Sequence, residues 1–151
     1  MWPRPAQPPN GSPRSGGRRV SRENVDVVRR ATEAHRRHDN QTVLGLYDPE
    51  VEMEMRDLDG SIHIYHGLDG VRTFYRDFLE ALTDRTTTVD EWIDAGNDVI
   101  AILRVTGRGR KSGAPFERRE AHVWTVRDGK LWRLRIYATR AEALKAVGLE
   151  P

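Results

Sequence analysis

The chain has 151 residues, 37% of them hydrophobic and 32% charged, with no cysteine. That length holds one domain with an adequate but not large core. The missing thiol excludes disulfides, thiolate metal sites and cysteine nucleophiles, and no apolar run is long enough to cross a bilayer as a helix. The net charge of +2 is misleading. Residues 1–22 hold Arg4, Arg14, Arg18, Arg19 and Arg22 and no acid, which leaves −3 for residues 23–151 and does not support a basic nucleic-acid-binding face.

Residues 1–20 read MWPRPAQPPNGSPRSGGRRV, rich in Pro, Gly, Ser and Arg. Such a segment cannot bury enough apolar surface to order itself. A disordered basic tail is expected over residues 1–21 and a folded domain over 22–148, with Val20 as an alternative start. The N-terminus lacks the apolar core of a secretory signal, and a cytoplasmic protein is expected. Ser21 to His38 reads as the first helix, capped by Ser21 or Asn24, with Val25, Val28, Ala31, Thr32 and His35 at helical spacing on one face. His35 and His38 have a metal-like spacing, but no third ligand is near, so a solvated helix end and no metal site are expected. Asp39 and Asn40 break and recap the chain. Val43, Leu44, Leu46 and Tyr47 form a short second helix that Asp48-Pro49 stops.

Val51 to Met55 alternates, which turns Val51, Met53 and Met55 inward and Glu52 and Glu54 to solvent. After a polar loop, Ser61 to His66 is a short strand. One face carries His63 and Tyr65, the other Ile62, Ile64 and His66, and periodicity does not choose between them. Leu68 to Leu82 is a third helix, with Val71, Phe74, Tyr75, Phe78, Leu79 and Leu82 forming a wide apolar stripe. Tyr75 needs a partner for its hydroxyl if buried. Four strands follow: Thr86 to Ile93, Asp98 to Gly107, Phe116 to Val126, and the strand holding Trp132, Leu134 and Ile136. The glycine-rich basic run between Gly107 and Gly113 lacks the Gly-Lys-Ser/Thr ending of a phosphate loop and reads as a hairpin loop. Thr139 opens a last helix that Gly148 ends.

The closing hairpin turns at Asp128-Gly129. A two-residue loop sets His122 opposite Arg135. A bulged turn sets it opposite Leu134 and gathers His122, Trp124, Trp132, Leu134 and Ile136 on one apolar face, leaving Arg133 and Arg135 to water. The bulged turn is preferred, because a slip would bury two arginines.

The order helix, helix, strand, short strand, helix, four antiparallel strands runs with Leu46-Tyr47-Asp48-Pro49-Glu50-Val51-Glu52, Gly67-Leu68-Asp69-Gly70-Val71, Ala95-Gly96-Asn97-Asp98-Val99 and Val126-Arg127-Asp128-Gly129-Lys130-Leu131. Together these resemble the SnoaL-like proteins of the nuclear transport factor 2-like superfamily, over about residues 22–148. The resemblance implies an α+β fold: a cone-shaped α+β barrel, with a curved, mainly antiparallel sheet wrapped over three N-terminal helices around an apolar pocket and followed by a short C-terminal helix. It implies a homodimer through the sheet face that carries Arg133, Arg135 and Tyr137. It does not settle function, since the superfamily holds isomerases, dehydratases, cyclases and non-catalytic binders.

Carried over residue by residue, the resemblance breaks two catalytic sets. The general-base aspartate of ketosteroid isomerase falls at Met55, its helix-one tyrosine near Ala31 and its buried aspartate at His122. The arginine of limonene epoxide hydrolase matches Arg104, but its aspartates fall near Thr106 and Ile136. Neither chemistry is expected. SnoaL-type cyclases keep an acid/base aspartate six residues before the aspartate of the Asp-Gly turn, which is His122 here. His122 is therefore the candidate acid/base, with Arg104 as candidate oxyanion or carboxylate partner if it points inward. Met53, Met55, Tyr65, Tyr75, Phe78, Trp92, Trp124, Leu134 and Ile136 are expected to wall the pocket. A structural role for His122 and ligand recognition without turnover both stay open.

Two functions of different class follow. One is a cofactor-independent isomerase, cyclase or dehydratase acting on an apolar carbonyl compound. The other is a non-catalytic module binding an apolar ligand or a protein. An enzyme needs at least two convergent polar groups in the pocket. The expected partners are a small apolar molecule and a second copy of the chain, without cofactor, membrane or nucleic acid.

Overall fold

The computed structural model describes residues 14–56 and 59–151, with side chains from residue 22 onward except Leu79. The first part of the expected tail and two residues of the loop after Arg56 lie outside the described residues. The elements are α1 (Arg14–Arg36), α2 (Asn40–Leu46), β1 (Tyr47–Arg56), β2 (Ile62–His66), α3 (Gly67–Glu80), β3 (Leu82–Ala95), β4 (Asp98–Gly109), β5 (Pro115–Arg127), β6 (Lys130–Tyr137) and α4 (Arg140–Ala146). Helix α1 starts well before Ser21, so neither Ser21 nor Asn24 caps it. Asn24 is instead buried, and its amide donates to the Gly96 carbonyl at 3.2 Å. The Asp39 carboxylate accepts from the Thr42 amide at 3.2 Å, and the Thr139 hydroxyl accepts from the Glu142 amide at 3.2 Å, capping α2 and α4.

The six strands form one curved sheet in the order β2-β1-β6-β5-β4-β3. β1 and β6 pair parallel and all other neighbours antiparallel. This is the α+β architecture expected, a curved, mainly antiparallel sheet that in this chain does not close on itself. β2 and β3 are free edges, and α3 packs against both from the concave side. The concave face holds the main core, in which Val28, Val51, Met53, Leu131 and Leu134 are fully buried. On the opposite face α4 lays Ala143 and Leu144 against Ile93, Ile100, Ala121 and Val123. Strand β5 thus buries both of its faces near its end, although its sequence reads as one-sided.

The closing hairpin departs from both expected registers. Asp128 (φ 51°) and Gly129 (φ 73°) both adopt left-handed conformations, as a two-residue type I′ turn requires. Arg127 pairs with Lys130 and Val126 with Leu131, after which a bulge at Trp132 shifts the ladder. His122 consequently faces Ile136, with Trp124 facing Leu134. The outcome for the faces is the one that favoured the bulged turn, but the extra residue sits in β6 rather than in the loop. Trp132 leaves the apolar face and lies under the Arg127 guanidinium, 4.4 Å from its ring centre. Arg135 is not given to water either: its side chain is 14% exposed and its nearest charge partner is Asp98 at 3.9 Å.

On β2 the His63 and Tyr65 face turns inward. Tyr65 packs edge-on against Phe74, with ring centres 5.4 Å apart, while Ile62 and Ile64 stay exposed.

Candidate functional site

The outer half of β5 places Phe116, Arg118, Glu120 and His122 at every second position, so all four side chains leave the same face of the strand. That face lines a cavity of about 240 Å³. Leu103 and Val105 of β4 stand opposite Glu120 and Arg118 and continue the wall. Ile136 and Met55 extend it across β6 and β1, and Phe74, Tyr75 and Phe78 of α3 cover it. Most of this lining is apolar, and the polar groups gather along β5 and at Arg85 and Thr87 of β3. The volume lies near the lower end of the ~300–1,000 Å³ common for small-molecule sites.

Within the cavity the Glu120 carboxylate and His122 Nε2 are 2.6 Å apart, with 11% and 16% of the two side chains exposed. Arg118 Nε lies 3.2 Å from the other Glu120 oxygen. Burial pushes the Glu120 carboxyl up, but the hydrogen bond and charge of His122, with the guanidiniums of Arg118 and Arg85, outweigh it. The carboxyl is held below its usual range. Glu120 accepts from Nε2–H, and in the neutral ring that bond selects the tautomer in which Nδ1 carries the lone pair. Nδ1 has no hydrogen-bond partner among the described residues.

A second polar cluster backs the cavity. The His35 ring stacks on Tyr75, with centres 3.9 Å apart, and its Nε2 lies 3.0 Å from the Tyr47 hydroxyl. The Tyr47 and Tyr75 hydroxyls are 3.3 Å apart. Burial drives the His35 imidazole down to about 3, helped by the charge of Arg85. The same burial raises Tyr75 to about 12 and lifts Tyr47 well above the usual tyrosine value. His35 is therefore a neutral, packed ring and not the solvated helix end expected. The stripe of Val28, Ala31 and Thr32 that includes it is what carries it into the interior.

Of the residues expected at the site, His122, Met55, Tyr75, Phe78 and Ile136 come together around the cavity. Met53, Leu134 and Trp124 are buried elsewhere in the main core, and Tyr65 and Trp92 pack against that core away from the lining. Trp92 lies beneath the Arg29 guanidinium at 5.3 Å. Arg104 does not point inward. It sits between Leu103 and Val105, whose side chains take the cavity face. Arg104 therefore leaves by the opposite face, where its Nε and Nη2 donate to Asp90 at 3.0 and 3.2 Å. The expected partnership with His122 is corrected on that ground.

Glu120, Arg118 and Arg85 were not anticipated. The first two were legible, because the alternation that turns His122 inward also turns them inward. Arg85 had no such signal, since its direction depends on a bulge. Among the described residues no three potential ligands gather as a metal site requires, and no helix is long and apolar enough to cross a membrane.

The sequence profile of the SnoaL-like domain matches residues 28–134. No curated protein gives a match. Among solved structures, an NTF2-like protein from Burkholderia thailandensis E264 is 28% identical, covering 80% of this chain and 96% of its own, with a TM-score of 0.67. An NTF2-like protein of unknown function from Burkholderia pseudomallei K96243 is 23% identical over 83% of this chain and 97% of its own, with a TM-score of 0.67. RV0760c from Mycobacterium tuberculosis, in complex with estradiol-17β-hemisuccinate, is 20% identical over 78% and 95%, with a TM-score of 0.64.

Proposed function

This chain belongs to the SnoaL-like family of the nuclear transport factor 2-like superfamily, and from that premise we propose that it is a cofactor-independent acid/base catalyst for a small apolar carbonyl compound. The observation that carries the reading is the Glu120–His122 pair, 2.6 Å apart inside a cavity whose other walls are largely apolar. His122 supplies the base through Nδ1. Glu120 orients the ring and stabilises the imidazolium that forms when a proton leaves the carbon next to the carbonyl. The same proton returns to another atom of the substrate, so an isomerisation, or a cyclisation through the enolate, needs no outside reagent. Arg118 supports the ionised Glu120 that His122 itself holds, and so helps keep the pair in place. The need for two convergent polar groups is met by Glu120 rather than by Arg104.

The M. tuberculosis neighbour is in complex with estradiol-17β-hemisuccinate, which supports reading the cavity as a small-molecule site. A homodimer through the outer sheet face belongs to the same proposal. Ile62 and Ile64, 46% and 60% exposed, leave apolar area there.

The test is exchange of the α-protons of 2-tetralone in deuterated buffer, followed by proton NMR. The wild type accelerates exchange, and His122→Ala loses about 10²–10⁴ of that acceleration. Glu120→Gln falls between them. Equal rates for wild type and His122→Ala defeat the proposal.

A further inference from the structure

The cavity mouth carries a cation, Arg85, that touches the acid/base pair only through its charge on Glu120. On β3, Thr83 pairs with Arg108 and Thr86 with Thr106, so Asp84 and Arg85 together oppose Gly107 alone. That is a β-bulge. Asp84 adopts φ 52°, a conformation that costs a residue with a side chain. Gly107 makes the bulge possible: a Cβ there would sit 2.9 Å from the Thr83 carbonyl oxygen and 3.4 Å from Arg85 Cα. The bulge resets the alternation, so that Arg85 and Thr87 both line the cavity.

Arg85 has no hydrogen bond or ion pair among the described residues. Its neighbours are committed. Arg118 is paired with Glu120 at 3.2 Å, and Arg110 donates to the Glu80 and Leu82 carbonyls at 2.6 and 3.4 Å. Arg85 is exposed at the rim of an otherwise largely apolar wall that includes Phe116, Leu82 and Phe78. A guanidinium without a hydrogen bond or ion pair of its own, held by a strained bulge over a largely apolar cavity, is suited to a ligand with one apolar and one anionic end.

We propose that Arg85 anchors an anionic group, such as a carboxylate, of an otherwise apolar ligand, with the anion at the mouth and the apolar body beside His122. This rests on the reading of the cavity as a small-molecule site and narrows its substrate class to apolar acids. The ligand enters body-first, and Arg85 sets which carbon faces Nδ1.

The test pairs two fluorescent probes with a shared ring system: 8-anilinonaphthalene-1-sulfonate, which is anionic, and N-phenyl-1-naphthylamine, which is neutral. Both are titrated into wild type and Arg85→Gln, with folding checked by far-UV circular dichroism. The anionic probe is expected to bind wild type about tenfold more tightly than Arg85→Gln, and to weaken with added salt. The neutral probe is expected to bind both proteins alike. In displacement, 2-naphthoate should compete better than 2-naphthamide for wild type, and the two should compete equally for Arg85→Gln. Equal weakening of both probes, or no change in either, overturns the anion anchor while leaving the cavity as a ligand site. Failure of both probes to bind wild type overturns the cavity reading and the anchor with it.

Discussion

The His35 ring offers the sharpest test of how the interior is built. Its imidazole is held near 3 because burial against Tyr75 and Tyr47 disfavours the cation, whereas an unfolded chain leaves it near its ordinary 6.5. Between those values the unfolded state binds a proton that the folded state refuses. Stability from this group is therefore complete above about pH 6.5 and falls as the pH drops toward 3. One proton is worth about 1.4 kcal/mol per pH unit in that window, so between about pH 7.5 and about pH 4.5 the loss is on the order of 3 kcal/mol. His35→Phe keeps an aromatic ring against Tyr75 but cannot take the proton. It gives up the bond to the Tyr47 hydroxyl, about 0.5–1.5 kcal/mol, and Tyr47 retains Tyr75 at 3.3 Å. Urea unfolding of both proteins across that range isolates the effect, because carboxylates such as Glu120 titrate alike in each. The wild type should lose roughly 3 kcal/mol more than the variant on acidification. Parallel pH profiles would show that the folded state accepts the proton and that His35 is not sealed as described.

Three further outcomes follow from packing. Gly107→Ala drives a Cβ against the Thr83 carbonyl and should cost about 1–3 kcal/mol in urea unfolding; an unchanged midpoint would mean the bulge relaxes freely. Leu134→Ala empties a fully buried position opposite Trp124 and should cost about 2–5 kcal/mol, whereas a loss under about 1 kcal/mol would place Leu134 outside a tightly packed core. Ile64→Lys puts a charge on the outer sheet face. Light scattering should show dimeric wild type and monomeric variant, and a monomeric wild type removes the homodimer from the proposal.

The site was legible in proportion to how local its signals are. His122 was singled out by counting from the Asp-Gly turn, and its inward direction by alternation. Glu120 and Arg118 followed the same alternation and needed only to be counted back along the strand. Arg104 shows the limit: alternation along β4 puts it opposite Leu103 and Val105, but which of the two faces is concave is decided by the neighbouring strands. Trp92, Trp124, Met53 and Leu134 are apolar and inward, but whether an inward residue fills the core or walls the cavity depends on what α1, α2 and α3 place above it.

Period and turn chemistry in the sequence determined the succession of helices and strands, the place of the Asp128-Gly129 turn, the sidedness of β1 and the inward direction of His122 on β5. These depend on each residue and its near neighbours along the chain. Only the tertiary structure decided the strand registers, the bulge at Trp132 that sets His122 against Ile136, and the bulge at Asp84 and Arg85 that turns a cation to the cavity. An extra residue in one strand is defined only against the partner strand it fails to match, and a buried His35 only against the tyrosines that exclude water from it.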